Sequence, residues 1–473
     1  MQTANDILAR AVEHHQGGRL VQALACYRQA IGLDPDASAA HIGLGSILFA
    51  RQSYAEAEKC CREVLRIEPE SSAGFSNLAA VLVKLGRFTE AEEAAGHAVK
   101  VDNKNAGAYN NLANALIEQE KPEEAEACLR EALRTAPARN DLRLSLGSAL
   151  RAQLRLEEAR TEYEAVLRRD PQNGLARLNR AMVLLQSGDW GPGWKEYEAR
   201  WETGEHAPRS FLQPVWRGQP LEERPILLHA EQGLGDTVQF LRYVALVKQK
   251  HAYVLVECPP KLLRIAKTVD GVDQVVGRGA ALDFDAHASL LSLPRILGTT
   301  LENVPARSAY LAADPQLTGR WGERLASAPG FKIGLAWRGN PNNKDDRRRS
   351  LDPELLRPLA EVAGVSLFAL HSGPVPDGVR ELETASSSVD HVAAMMMHLD
   401  LVISVDTLAA HLAGALGREV WTLLAFVPDF RWLLGRDDTP WYPTMRLFRQ
   451  TARGDWAGVL DRVVQELRSR CPQ

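Results

Sequence analysis

The residue types best suited to chemistry gather in one stretch near the C-terminal end, LVISVDTLAAHLAGALG, from Leu401 to Gly417. Leu401 to Ile403, closed by Ser404, read as a buried strand, and Asp406-Thr407 then opens a helix of small residues. A helix N-terminus collects unbonded backbone N–H groups and roughly half a positive charge, which suits a phosphate or diphosphate. Thr407, His411 and Gly414 share one helix face at spacings of four and three, while Leu408, Leu412, Ala415 and Leu416 supply the apolar face. A polar face therefore looks into a cleft. Two other stretches carry charge. The loop Arg338 to Ser350 holds Arg338, Lys344, Arg347, Arg348 and Arg349 against Asp345 and Asp346, and EQGLGDT places Asp236 after Gly235. The bland alternatives are an Asp-capped amphipathic helix with a surface histidine and a solvated basic loop.

The elements that must position these residues begin at Ile226, where short apolar strands alternate with helical stretches. ILLHA, YVLVE and DQVV come first; KIGLAW, VSLFAL, LVIS and VWTLL follow, with helices over Val238 to Lys250, Leu355 to Val362 and after Thr407. This alternation predicts two doubly wound parallel sheets, separated near Asp314 to Pro329. In open α/β sheets ligands bind beyond the carboxyl ends of the strands. The unusual loops all lie there: EQGLGDT, RGNPNNKDDRRRS, HSGP, SVDT and FVPDFRW. Two facing sheets would enclose one cleft.

At 473 residues the chain is too long for one ordinary core, so two or three domains are expected. A charged fraction of 25%, 45% hydrophobic residues and net charge −4 describe a soluble globular protein without the basic excess of a nucleic-acid binder. The start, MQTANDILARAVEHH, has no apolar segment of a signal peptide, and no run reaches membrane-spanning length, so a cytoplasmic protein is expected. Cysteines 26, 60, 61, 128, 258 and 471 show no metal-ligand spacing and read as free thiols.

The first half is periodic. Proline recurs at 35, 69, 137 and 171, always a multiple of 34 apart, with Asn103 in the missing place, and alanine recurs at 23, 57, 91, 125 and 159. Leu44, Leu78, Leu112 and Leu146 keep the same period. A small residue where two helices cross and a proline ending the second helix resemble the tetratricopeptide repeat. Five repeats cover residues 4 to 173, and a degenerate sixth runs from Gly174 to about Trp201 with Asn179, Ala181 and Tyr197 in register and Gly193 in the alanine column. Such arrays form a superhelix whose groove takes extended peptides. Asn77, Asn111 and Asn179, with Ser145 between them, occupy one column, and an amide there can pair with any peptide backbone. A similar asparagine ladder holds acceptor peptide in the protein O-linked N-acetylglucosamine transferases, so the resemblance implies an acceptor role for these residues; solvated surface asparagines are the alternative. All ten tryptophans lie at or beyond Trp190, and Gly204 to Pro225 carries four prolines without helical period, a linker or packed connector.

The second half resembles the heptosyltransferase-related glycosyltransferases, family 9, of the two-domain B-type fold, in the branch fused to tetratricopeptide repeats. The motifs are GLGDT, GLAWRGNPNNKDDRRRS and SVDTLAAHLAGALG. The resemblance implies that Asp406, Thr407 and His411 bind the donor diphosphate, and Leu408, where the heptosyltransferases have glycine, departs from it. It implies four parts: a repeat superhelix over 1–203, a linker over 204–224, a Rossmann-like acceptor-side domain over 225–318 and a Rossmann-like nucleotide-sugar domain over 319–473. The expected activity is metal-independent transfer of a sugar from a nucleotide-activated donor to a protein held by the repeats. No cofactor is expected. Arg338, Lys344 and Arg349 stand in for the metal at the diphosphate. Gly235 lies on the acceptor side, and Asp236 corresponds to the aspartate given the role of base, its alternative being a helix cap.

Three rivals stand against this expectation. Gly233, Gly235 and Glu257 partly fit a dinucleotide fingerprint, but Val238 stands where close helix-to-strand packing needs a third glycine. Asp283-Phe284-Asp285 has the form of a metal-holding pair, but three-residue matches are common, and it reads as strand-end punctuation. The third is a non-catalytic repeat scaffold keeping a vestigial sugar-nucleotide fold. Within the transferase reading, transfer to a surface glycan is the alternative to protein.

Overall fold

The structure, a computed structural model, describes residues 3–204, 207–341, 343, 345–371, 375–382 and 388–471. The chain divides into two compact units, Met1–Arg180 and Ala181–Gln473.

The first unit is a helical solenoid. Its helices run from Ala4–Gln16 to Leu156–Arg169, each packed on the next, and Gly174–Ser187 begins in it. Ala23, Ala57, Ala91, Ala125 and Ala159 are all 0% exposed, so the alanine column marks places where the helices of a repeat leave no room for a longer side chain. Each periodic proline stands two residues beyond a helix: Pro35 after Leu20–Leu33, Pro69 after Tyr54–Ile67, Pro137 after Pro122–Thr135 and Pro171 after Leu156–Arg169. Proline has no N–H to donate and disfavours helical geometry in the residue before it, so it stops the helix there. A second periodic set, beyond the sequence expectation, ties neighbouring repeats together. Arg87 meets Glu58 at 2.8 Å, Lys121 meets Glu92 at 2.8 Å and Arg155 meets Glu126 at 2.7 Å. Gln119 and Gln153 donate to the same Glu92 and Glu126 at 2.7 Å.

The second unit opens with the end of helix Gly174–Ser187 and with helix Trp190–Tyr197. The later part of the degenerate repeat, expected with the solenoid, is therefore packed into the α/β unit. Trp190 stacks on Trp441 at 5.0 Å, and Trp194 meets Phe240, Phe430 and Trp441 edge-on. The appearance of tryptophan at residue 190 marks this packing. The segment after it is a packed connector: Trp216 is fully buried, and its backbone N–H donates to the His287 carbonyl at 2.8 Å.

Two parallel sheets follow. The first has the order β3-β2-β1-β4, with β1 Pro225–His229, β2 Tyr253–Cys258, β3 Gln274–Gly277 and β4 Ala286–Ser289. The second has the order β10-β9-β8-β5-β6-β7, with β5 Phe331–Ala336, β6 Val365–Ala369, β7 Val379–Arg380, β8 Leu401–Val405, β9 Val420–Leu424 and β10 Met445–Arg449. Every pairing is parallel. The predicted strands are all present; β4, β7 and β10 go beyond the prediction, since AHAS, VR and MRLFR lack an apolar run. Helix Pro315–Leu325, capped by Asp314, separates the sheets. In the second sheet the order reverses between β5 and β8, with Ile333 paired to Leu401. At such a switch point the loops after the two central strands diverge and leave a crevice at their carboxyl ends. The basic loop and SVDT are those two loops.

Candidate functional site

Thr407 is the N-cap of helix Leu408–Ala415, and its hydroxyl lies 3.1 Å from that of Ser404. The basic loop reaches this turn through Arg349, whose Nη1 donates to the Asp406 carbonyl at 3.0 Å while its Nε lies 3.3 Å from Asp346 Oδ1. Gly339 makes room for it, because a Cβ there would come within 2.9 Å of Arg349 Nη2. Arg338 is exposed. Lys344, and Ser372 to Pro374 of the HSGP loop, lie outside the described residues.

His411 differs from expectation. Its imidazole is enclosed, with 2% of its surface exposed, instead of lying open on a polar face. Nδ1 is 2.9 Å from the Tyr442 hydroxyl, Nε2 is 3.8 Å from Asp406 Oδ1, and the ring stacks on Trp432 at 5.3 Å. Burial pushes its pKa well below the usual histidine value, and the charges of Arg431, Arg242 and Arg349 push it the same way. The ring is therefore neutral at neutral pH. Burial also drives the Tyr442 hydroxyl upward, so it stays protonated beside Nδ1.

Asp236 belongs to the first sheet. It is the third residue of helix Leu234–Phe240, which follows β1 and starts two residues before Asp236 instead of after it. Its Oδ2 accepts from the backbone N–H of Gly233 at 2.9 Å. Its Oδ1 accepts from Arg431 Nη2 at 2.6 Å. The N-cap is therefore Gly233 and not Asp236, which stands at the third helical position and accepts the N-cap's N–H with one carboxylate oxygen while the other is held by Arg431. Gly235, one residue earlier, packs on the His411 ring.

Arg431 and Arg242 are the site residues that sequence reasoning missed. Arg431 sits in the 3₁₀ turn Phe430–Trp432 after β9, within the FVPDFRW loop already singled out by its position. It is nearly buried, and Asp429 Oδ1 accepts its backbone N–H at 3.0 Å and lies 3.3 Å from its Nε. Burial raises the Asp429 pKa to about 6 against the pull of Arg431, and the carboxylates of Asp406 and Asp236 add to the rise. Arg242 is buried over the rings of Tyr310, Trp441 and Tyr442, at 4.9, 5.2 and 4.5 Å, and donates to the Trp441 carbonyl. An isolated arginine in a helix after β1 carried no sequence signal of that role. Together these contacts join the helix after β1 to the helix after β8. Asp236, Gly235, Thr407, His411 and Arg349 come to one locus.

The rival Glu257 has another use. It accepts from Arg209 at 2.8 Å and from the backbone N–H of Gly279 at 3.3 Å.

In the first unit the three asparagines have unlike surroundings. Asn111 Nδ2 donates to the Ser76 carbonyl at 2.8 Å and to its hydroxyl at 3.1 Å, an inter-repeat bond and not an open amide. Asn77 lines a pocket of about 190 Å³ with His41, Ser46 and Phe49. Asn179 is half-buried in helix Gly174–Ser187.

The comparisons with known proteins bear on the repeats. Tetratricopeptide-repeat models match residues 8–72 and 144–191, and 70–138. Protein FlbA of Caulobacter vibrioides is 29% identical over 324 residues, 61% of this chain and 54% of that protein. The chain thus spans about half the length of that curated relative. Among solved structures, a thermophilic TPR protein of Thermus thermophilus is similar at 21% identity and a TM-score of 0.35, over 39% of this chain and all of that one. YrrB, described as a TPR protein with an unusual peptide-binding site, is 18% identical with a TM-score of 0.29, over 38% of this chain and 93% of its own. The N-terminal region of this chain is a tetratricopeptide-repeat solenoid, joined to an α/β region of parallel sheets.

Proposed function

We propose that this chain is a B-type glycosyltransferase that moves a sugar from a nucleotide-activated donor to a protein acceptor held by the repeats. The observation that carries the reading is the meeting of Asp236, from the carboxyl end of β1, with Thr407, His411 and Arg349 at the carboxyl ends of β8 and β5. The diphosphate lies at the N-terminus of helix Leu408–Ala415, with Arg349 and Arg338 supplying positive charge. The acceptor oxygen forms its bond to the anomeric carbon as the bond from that carbon to the diphosphate oxygen breaks. The electron pair leaves with the diphosphate, and the acceptor proton passes to Asp236. Peptide recognition falls to the pocket beside Asn77, because Asn111 is engaged by Ser76.

The test is incubation of the full chain with UDP-, GDP-, ADP-, CDP- and dTDP-sugars, followed by release of nucleoside diphosphate and by mass spectrometry of added acceptor protein. Turnover of one donor is the expected result. The scaffold reading draws support from the Arg431 ion pair on Asp236, and binding of a nucleoside diphosphate without any release from its sugar form would favour it.

A further inference from the structure

Arg431 is held by more negative charge than one guanidinium balances. Asp236 lies 2.6 Å from Nη2 and Asp429 3.3 Å from Nε, and the Asp406 carboxylate faces the same locus beside His411. A diphosphate entering here meets three carboxylates, and an aspartate bound to arginine is a poor proton acceptor. Both problems have one solution, which is exchange of the arginine from the carboxylate to the phosphate. Guanidinium suits it, since its fork of N–H donors matches carboxylate and phosphate oxygens alike. The backbone on both sides of the ion pair is strained. Gln232, just before the Gly233 that caps Asp236, has φ +60°, and Leu433, two residues after Arg431, has φ +54° and ψ −167°. Such conformations are disfavoured for residues with a side chain and gather at segments that change state.

We propose that Arg431 is a shared counter-ion: without ligand it holds the Asp236 carboxylate, and an incoming nucleoside diphosphate takes it over, leaving Asp236 able to accept a proton. The inference rests on the glycosyl-transfer reading above and names the side chain that couples donor binding to activation of the base. Occupation of the donor site then precedes basicity at the acceptor side, so the acceptor is not deprotonated before a donor is in place.

The proposal predicts a gain in diphosphate binding that depends on Arg431, which simple relief of charge repulsion does not. Removing the competing carboxylate must tighten diphosphate binding. Calorimetric titration of the full chain with inorganic pyrophosphate and with UDP, GDP, ADP, CDP and dTDP is to be run on the wild type, Asp236→Asn, Arg431→Gln, Arg431→Lys and the double variant Asp236→Asn/Arg431→Gln. Asparagine keeps an acceptor for the Gly233 N–H, so the helix cap survives. The expected result is affinity raised at least threefold in Asp236→Asn, lowered at least tenfold in Arg431→Gln, partly restored in Arg431→Lys, and equal to Arg431→Gln in the double variant. Unchanged or weaker binding in a folded Asp236→Asn protein overturns the exchange while leaving the glycosyl-transfer reading standing. Wild-type protein that binds none of these probes overturns both. Thermal melting of each variant identifies unfolding, and if Arg431→Gln fails to fold, Asp236→Asn alone still decides.

Discussion

Gly235 and His411 are in contact across the two sheets, and a Cβ on Gly235 would stand 2.9 Å from His411 Cδ2. The helices after β1 and β8 approach as closely as they do because the first turn of one has no side chain at this point. Gly235→Ala therefore pushes on a buried ring already fixed by Tyr442 and Trp432. Overpacking of this kind costs about 1–3 kcal/mol. Urea unfolding should show a loss of that size, whereas a variant as stable as the wild type would mean that the helices separate freely.

Asp236→Asn tests the base. Asparagine keeps the hydrogen bond from Gly233 but cannot take a proton, and a positioned base is worth about 10² to 10⁴ in rate. Transfer should fall at least a hundredfold while the protein stays folded. A variant retaining more than a tenth of wild-type turnover removes Asp236 from that role.

Much of the fold was legible in the sequence because it rests on periodic packing. The alanine column predicted helix crossings, and each of its five members is fully buried. The Arg87–Glu58, Lys121–Glu92 and Arg155–Glu126 pairs are equally periodic but carry no such signal, since a charged column on a helix usually faces solvent. The site was legible only in part. Spacing placed Asp406, Thr407 and His411 on one strand-helix junction, but could not show that Tyr442, 31 residues on, closes over the imidazole. Nor could it pair Arg431 with Asp236, which are 195 positions apart. Burial and partner choice at such distances are set by how the two sheets meet, and a local pattern holds no trace of it.

Acid should weaken the second unit. His229 and His287 are buried side by side on β1 and β4, with His287 Nδ1 3.4 Å from His229 Nε2. Burial, with the neighbouring His287, lowers the His229 pKa to about 3. Between that value and the ordinary histidine value near 6.5 the unfolded chain binds a proton that the folded chain does not, so stability falls as pH drops through this window. The slope from His229 alone is about 1.4 kcal/mol per pH unit, and His411, also depressed, adds to it. Urea midpoints at pH 7.5, 6.0 and 5.0 should decline, and less steeply in His229→Gln. A flat profile would mean that His229 is protonated in the folded protein.

The asparagine column separates into a position engaged between repeats, Asn111, and a position lining a pocket, Asn77. Asn111 donates to both the Ser76 carbonyl and hydroxyl, so Asn111→Ala leaves two acceptors between adjacent repeats without their donor, at a cost of about 1–2 kcal/mol. Asn77 instead lines the pocket formed with His41, Ser46 and Phe49, where an amide can meet a peptide backbone. Asn77→Ala should leave the melting temperature of the protein within a degree or so of wild type, yet raise the KM for a protein acceptor with little change in kcat, the pattern of a lost contact that acts on binding alone. Asn111→Ala should show the reverse, a lower melting temperature with KM nearly unchanged. If instead both variants weaken acceptor binding equally without loss of stability, the amide of Asn111 turns from Ser76 to the peptide when the groove is filled, and the column acts as one ladder.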